Sequence, residues 1–122
     1  MTITGTDNDS ANSLATRANV SAGSYLVTAR VQLTGSATTA ARIFCMASLG
    51  TKSGYAVSDI GTNAGNVIND VVMVTFNVTV GEPSTGNLRC FRQSLTGTAP
   101  TASEAYLELL RVGLADSQAV GS

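Results

Sequence analysis

The segment from Gly23 to Leu33 alternates apolar and polar side chains. Tyr25, Val27, Ala29, Val31 and Leu33 fall on one face of an extended chain, and Thr28, Arg30 and Gln32 fall on the other. A period of two marks a half-buried strand, so this segment predicts a long strand whose apolar face other strands must cover. Val71 to Val80 repeats the pattern, with Val72, Val74, Phe76, Val78 and Val80 on one face and Thr75, Asn77 and Thr79 on the other. Arg42 to Leu49 differs. Ile43, Cys45, Ala47 and Leu49 form one apolar face, but Phe44 and Met46 make the opposite face apolar too. A strand apolar on both sides is buried on both sides, by its own protein or by a neighbouring subunit.

Weaker signals fill the intervals. Ser13 to Val20 reads as a short edge strand leading into the turn Ser21-Ala22-Gly23-Ser24, and Gly35 to Thr39 closes a loop. Residues 50–69, rich in Gly, Asn, Ser and Thr, read as loop territory with Tyr55 and Val57 as contacts of a short strand. Gly81 to Gly86 is a turn cluster, Asn87 to Gln93 a strand with Leu88 and Cys90 on one side, and Thr96 to Thr101 a loop. Ser103 to Val112 fits two patterns. Ala105, Leu109 and Val112, or Tyr106 and Leu110, share a helical face, and Thr101 or Ser103 followed by Glu suits a helix cap. Composition alone favours helix there; the strand reading is adopted because the length matches the other two long strands, because helix is otherwise absent, and because the family resemblance given below implies it. Residues 1–12 are polar around a single Ile3 and read as an arm or linker whose ordering would need a neighbouring surface; 13–116 form the folded domain and 117–122 a tail.

Composition narrows the function. A chain of 122 residues makes one domain and has enough core to fold without metal or disulfide. Charged residues are 12 % of the chain, the net charge is -1 and His and Trp are absent, so Ser, Thr, Asn and Gly must carry the polar surface. The seven basic residues are scattered singly, which argues against nucleic acid as a partner. No apolar run approaches the roughly 18 residues of a membrane span, so membrane insertion is not expected, and Met1 to Ala22 lacks the basic start and apolar centre of a secretory signal.

The residues point away from catalysis. Without His, the common Ser and Cys nucleophile arrangements are missing. Glu104 and Glu108 could flank a glycosidic bond as a carboxylate pair, but on a strand they alternate with Tyr106 and Leu110 and read as solvated or interface charges. Asp7, Asp9, Asp59 and Asp70 show no calcium-loop signature and read as turn formers. Two cysteines without His cannot make a zinc site. No cofactor or metal is expected.

Gly23-Ser24-Tyr25-Leu26-Val27-Thr28-Ala29, the Cys45 strand, Leu88-Arg89-Cys90 and Leu110-Arg111-Val112-Gly113-Leu114 together resemble a group of bacterial and phage jelly-roll domains. That group is similar to the tumour necrosis factor and complement globular-head superfamily. The resemblance spans about residues 14–116 and implies an all-β, two-sheet antiparallel jelly-roll sandwich of Greek-key topology, usually a homotrimer at the tip of a fibre or stalk. The chain departs from the family in having no Gly-X-Y stalk and in its short middle loops. In that fold the Cys45 and Cys90 strands are neighbours in one sheet, and the two cysteines either form a disulfide or remain buried apolar thiols.

Phe44, Met46, Tyr106, Leu110 and Val112 each oppose a face assigned to the core. They are either a subunit interface covered by identical copies or the product of a bulge that turns part of a strand inward. The expectation drawn from these features is a non-enzymatic structural protein, a homotrimeric head displayed on a virion or outside the cell. Two alternatives stand beside it. One is a carbohydrate- or receptor-binding module using the 50–69 and 94–101 loops, with Tyr55 as the ligand contact; the other is a small phage coat protein whose Ser103 to Ala115 segment is a helix.

Overall fold

The computed structural model describes residues 1–7, 10–36, 39–61 and 69–112, with the backbone alone at 94–96. Among these residues seven strands follow one another: β1 (Asn12–Val20), β2 (Gly23–Thr34), β3 (Ala40–Leu49), β4 (Lys52–Gly61), β5 (Asn69–Val80), β6 (Ser84–Thr96) and β7 (Thr101–Val112). They form two antiparallel sheets in the orders β1-β6-β3-β4 and β5-β2-β7, packed on one another. Only β3 and β4 are joined within a sheet. Every other connection passes from one sheet to the other, and the two layers enclose a single core.

The alternation in β2 explains that core. Tyr25, Val27, Ala29, Val31 and Leu33 are all buried, beside Val72 and Val74 of β5 and Leu107 of β7. The facing sheet contributes Ile43, Cys45, Ala47 and Leu49 of β3, Leu88 and Cys90 of β6 and Ile60 of β4. β3 turns into β4 through Gly50, whose φ of 62° supplies the positive dihedral that a two-residue hairpin loop needs.

Three expectations are corrected. First, most of the stretch assigned to loop between 50 and 69 is strand: residues 52–61 form β4, paired along its length with β3 from Leu49↔Lys52 to Ala40↔Gly61, while 62–68 lie outside the described residues. Residues 94–96 likewise belong to β6, which leaves 97–100 as the connection. Second, the C-terminal helix of the coat-protein alternative is absent through Val112. β7 pairs with β2 from Ser24↔Val112 to Thr34↔Thr101, because the second edge of β2 offers partners to the backbone groups on the facing side of β7. Residues 113–122, including the tail, lie outside the described residues. Third, the surface that orders residues 1–7 is the chain's own. Ile3 is fully buried, and the arm bonds to the ends of both sheets: Ile3 N–H donates to the Pro100 carbonyl at 2.9 Å, and Arg92 N–H donates to the Gly5 carbonyl at 2.8 Å.

Candidate functional site

Each sheet turns one face to the core and one outward, and the outward faces carry the candidate chemistry. On the four-stranded sheet, Phe44 stands directly opposite Phe91 on one side and Val57 on the other. The two phenyl rings stack with centroids 5.3 Å apart and planes within 10° of parallel. In the next row, Met46 stands between Arg89 and Tyr55. The five apolar side chains therefore lie in two adjacent rows. Tyr55 and Val57 are 63 % and 50 % exposed, so this patch is not covered by the chain's own fold.

Polar groups rim the patch. Beyond Phe44, Arg42 Nε donates to Asp59 Oδ1 at 2.8 Å, and Nη2 donates to Oδ2 at 3.3 Å. The hydrogen bond to Arg42 holds the Asp59 carboxyl below the usual carboxylate range, and the same bond raises Arg42. Beyond Met46 lie Ser48, Ser53 and Asn87, with Asn87 Oδ1 accepting from Ser13 Oγ at 3.0 Å. Arg89 Nε is buried without a hydrogen-bond partner.

The outer face of the three-stranded sheet is organised differently. One row reads Met73, Arg30, Tyr106 and the next reads Thr75, Thr28, Glu108. A shallow depression of about 270 Å³ opens here, lined by Thr28, Arg30, Met73, Tyr106 and Glu108. Glu104 stands one row further on, beside Gln32, and the Tyr106 hydroxyl reaches its Oε2 at 3.5 Å. Towards the opposite end, Leu26 stands beside Leu110 and Ser24 beside Val112.

The five residues expected at one interface are thus divided. Phe44 and Met46 lie on the four-stranded face; Tyr106, Leu110 and Val112 lie on the three-stranded face, which points the other way. Met46 is also 7 % exposed within the single chain, flanked by its cross-strand neighbours. Tyr55, expected as a loop contact, is a strand residue of the first patch. Bulges do occur, between Gln32 and Leu33 of the β2–β7 ladder and between Arg42 and Ile43 of the β3–β6 ladder, but they leave Phe44, Tyr106 and Leu110 pointing outward.

Cys45 and Cys90 sit opposite one another in the core and are bonded, with Cα atoms 4.1 Å apart. Among the described residues no three of His, Cys, Asp and Glu gather as a metal site. Asp70 instead accepts from Ser58 Oγ and from Val71 N–H, and Asp7 accepts from Ser10; Asp9 lies outside the described residues. Among the described residues no helix is long and apolar enough to cross a membrane. No family model matches the chain, and no curated protein matches it.

Proposed function

We propose that the chain is a non-enzymatic structural subunit that assembles with identical copies through the outer face of its four-stranded sheet. In this reading it is a homotrimeric jelly-roll head of a fibre, a virion decoration or a cell-surface assembly. The observation that carries it is the stacked Phe44–Phe91 pair continued by Val57, Met46 and Tyr55 on a face turned away from the core. An apolar centre of aromatic and Met side chains inside a polar rim is the anatomy of a protein interface. Two antiparallel sheets packed face to face support the sandwich on which the jelly-roll reading rests. Trimerisation through one face leaves the other open, since opposite faces of a slab cannot both point at one threefold axis.

The mass of the protein in solution at micromolar concentration tests this. A trimer is expected, and Val57→Asp, at an exposed position, returns it to monomer with its fold intact. Leu110→Asp, on the opposite face, leaves the mass unchanged. A monomeric wild type overturns the reading.

A further inference from the structure

We propose that the depression on the three-stranded sheet binds an uncharged sugar ring. The argument starts from the groups that line it. Arg30 lies between Met73 and Tyr106, and Thr28 lies beside Glu108 in the next row. A guanidinium only donates hydrogen bonds, a carboxylate only accepts them, and a hydroxyl does both. Here all three meet around one depression. Among the described residues Arg30 and Glu108 form no ion pair with each other; the ion pair found among them, Arg42–Asp59, is on the opposite sheet.

Charge selects against simpler ligands. A small anion drawn to Arg30 meets the carboxylates of Glu108 and Glu104, and a small cation drawn to those carboxylates meets Arg30. A neutral ring with hydroxyls on adjacent carbons needs donors and acceptors side by side, which Arg30, Glu108 and Thr28 provide. Tyr106, 49 % exposed, offers a ring on which the apolar C–H face of a pyranose can lie, and Met73 closes the other side at the far end of the Arg30 row. A volume of about 270 Å³ falls just below the range of pockets that take drug-sized ligands, which limits the ligand to a single ring.

The site is on the face that the proposed assembly leaves open. Binding at one such shallow site is weak, with Kd in the millimolar range. If copies assemble in threes, avidity on a glycan-coated surface exceeds the single-site affinity by about a hundredfold or more.

The test is a titration followed by amide NMR on the full chain, using the methyl glycosides of glucose, galactose and mannose. Sialic acid and inorganic phosphate serve as anionic probes, and lysine methyl ester as a cationic one. At least one neutral glycoside is expected to give saturable shifts centred on Thr28, Arg30, Tyr106 and Glu108. Tyr106→Ala and Arg30→Ala each weaken it by about tenfold, with the unfolding midpoint unchanged because both side chains are exposed. The proposal is overturned if no neutral glycoside shifts these amides, if the shifts lie elsewhere, if a charged probe binds there in preference, or if both variants bind as wild type does. A monomeric wild type that still binds the sugar removes the assembly reading and leaves this one standing.

Discussion

Cys45 of β3 faces Cys90 of β6 across the centre of the four-stranded sheet, and the bond between them ties together residues 45 positions apart in the chain. Both are buried, at 1 % and 0 % exposure, so the bridge lies inside the sandwich.

Closing a loop of that length removes conformational freedom chiefly from the unfolded chain, which stabilises the fold by about 2–4 kcal/mol. The double variant Cys45→Ala, Cys90→Ala is expected to lose roughly that amount. Urea unfolding followed by fluorescence or circular dichroism measures it. The β3–β6 ladder itself should survive, because its backbone pairing extends from Ala40↔Thr96 to Leu49↔Gly86.

Gly54 of β4 faces β5 of the opposite sheet at close range. A Cβ placed there would lie 2.8 Å from Val74 Cγ1 and 3.2 Å from Phe76 Cδ1. Val74 is buried and its branched side chain is stiff, so its Cγ1 cannot withdraw cheaply, and Gly54→Ala is expected to cost about 1–3 kcal/mol through overpacking. Gly81, whose added Cβ would meet nothing within 4 Å, is the control. Gly81→Ala should change the urea midpoint little, as surface substitutions typically do.

Gly54 also shows why part of the fold was hidden in the sequence. The alternations in β2 and β5 were legible because one face of each is continuously apolar. In β4, Ser53, Gly54, Ser58 and Gly61 interrupt that signal, since close approach to Val74 favours a small residue where a core strand ordinarily shows a large one. The Phe44–Phe91 pair was legible only conditionally. Once Cys45 is set against Cys90, antiparallel register places Phe44 opposite Phe91 and Met46 opposite Arg89. No such anchor exists for β5, β2 and β7, so nothing in the sequence aligned Met73, Arg30 and Tyr106. Nor does the pattern of a strand say which outward face it shares, which is why Phe44 and Tyr106 were grouped together although they point in opposite directions.

The Arg42–Asp59 pair makes a prediction about pH. The hydrogen bond from Arg42 lowers the Asp59 carboxyl, so its contribution is fully present above the ordinary carboxylate range and is lost as pH falls through the depressed folded value. The side chains are 51 % and 43 % exposed, so the contribution is small and is screened by salt. Wild type and Asp59→Asn should differ slightly near neutral pH and converge in acid. An NMR titration of the Asp59 carboxyl should show a midpoint below the ordinary range that returns to it in Arg42→Gln.

Ile3 holds the arm against the end of the sandwich. Its side chain is fully buried, while Thr2 and Thr4 on either side are exposed, so a single apolar anchor carries the packing of this segment. Replacing it with Ala leaves a cavity and is expected to cost about 2–5 kcal/mol. Part of that loss should appear as local opening. The Arg92 and Ala102 amides donate to the carbonyls of Gly5 and Met1, both at 2.8 Å, and these bonds exist only while the arm is docked. Hydrogen exchange at Arg92 and Ala102 should therefore accelerate in Ile3→Ala by more than it does at Val27 or Ala47 in the middle of the core. Equal acceleration at all four amides would mean that the arm and the sandwich unfold as one unit, and that Ile3 belongs to the same cooperative core as β2 and β3.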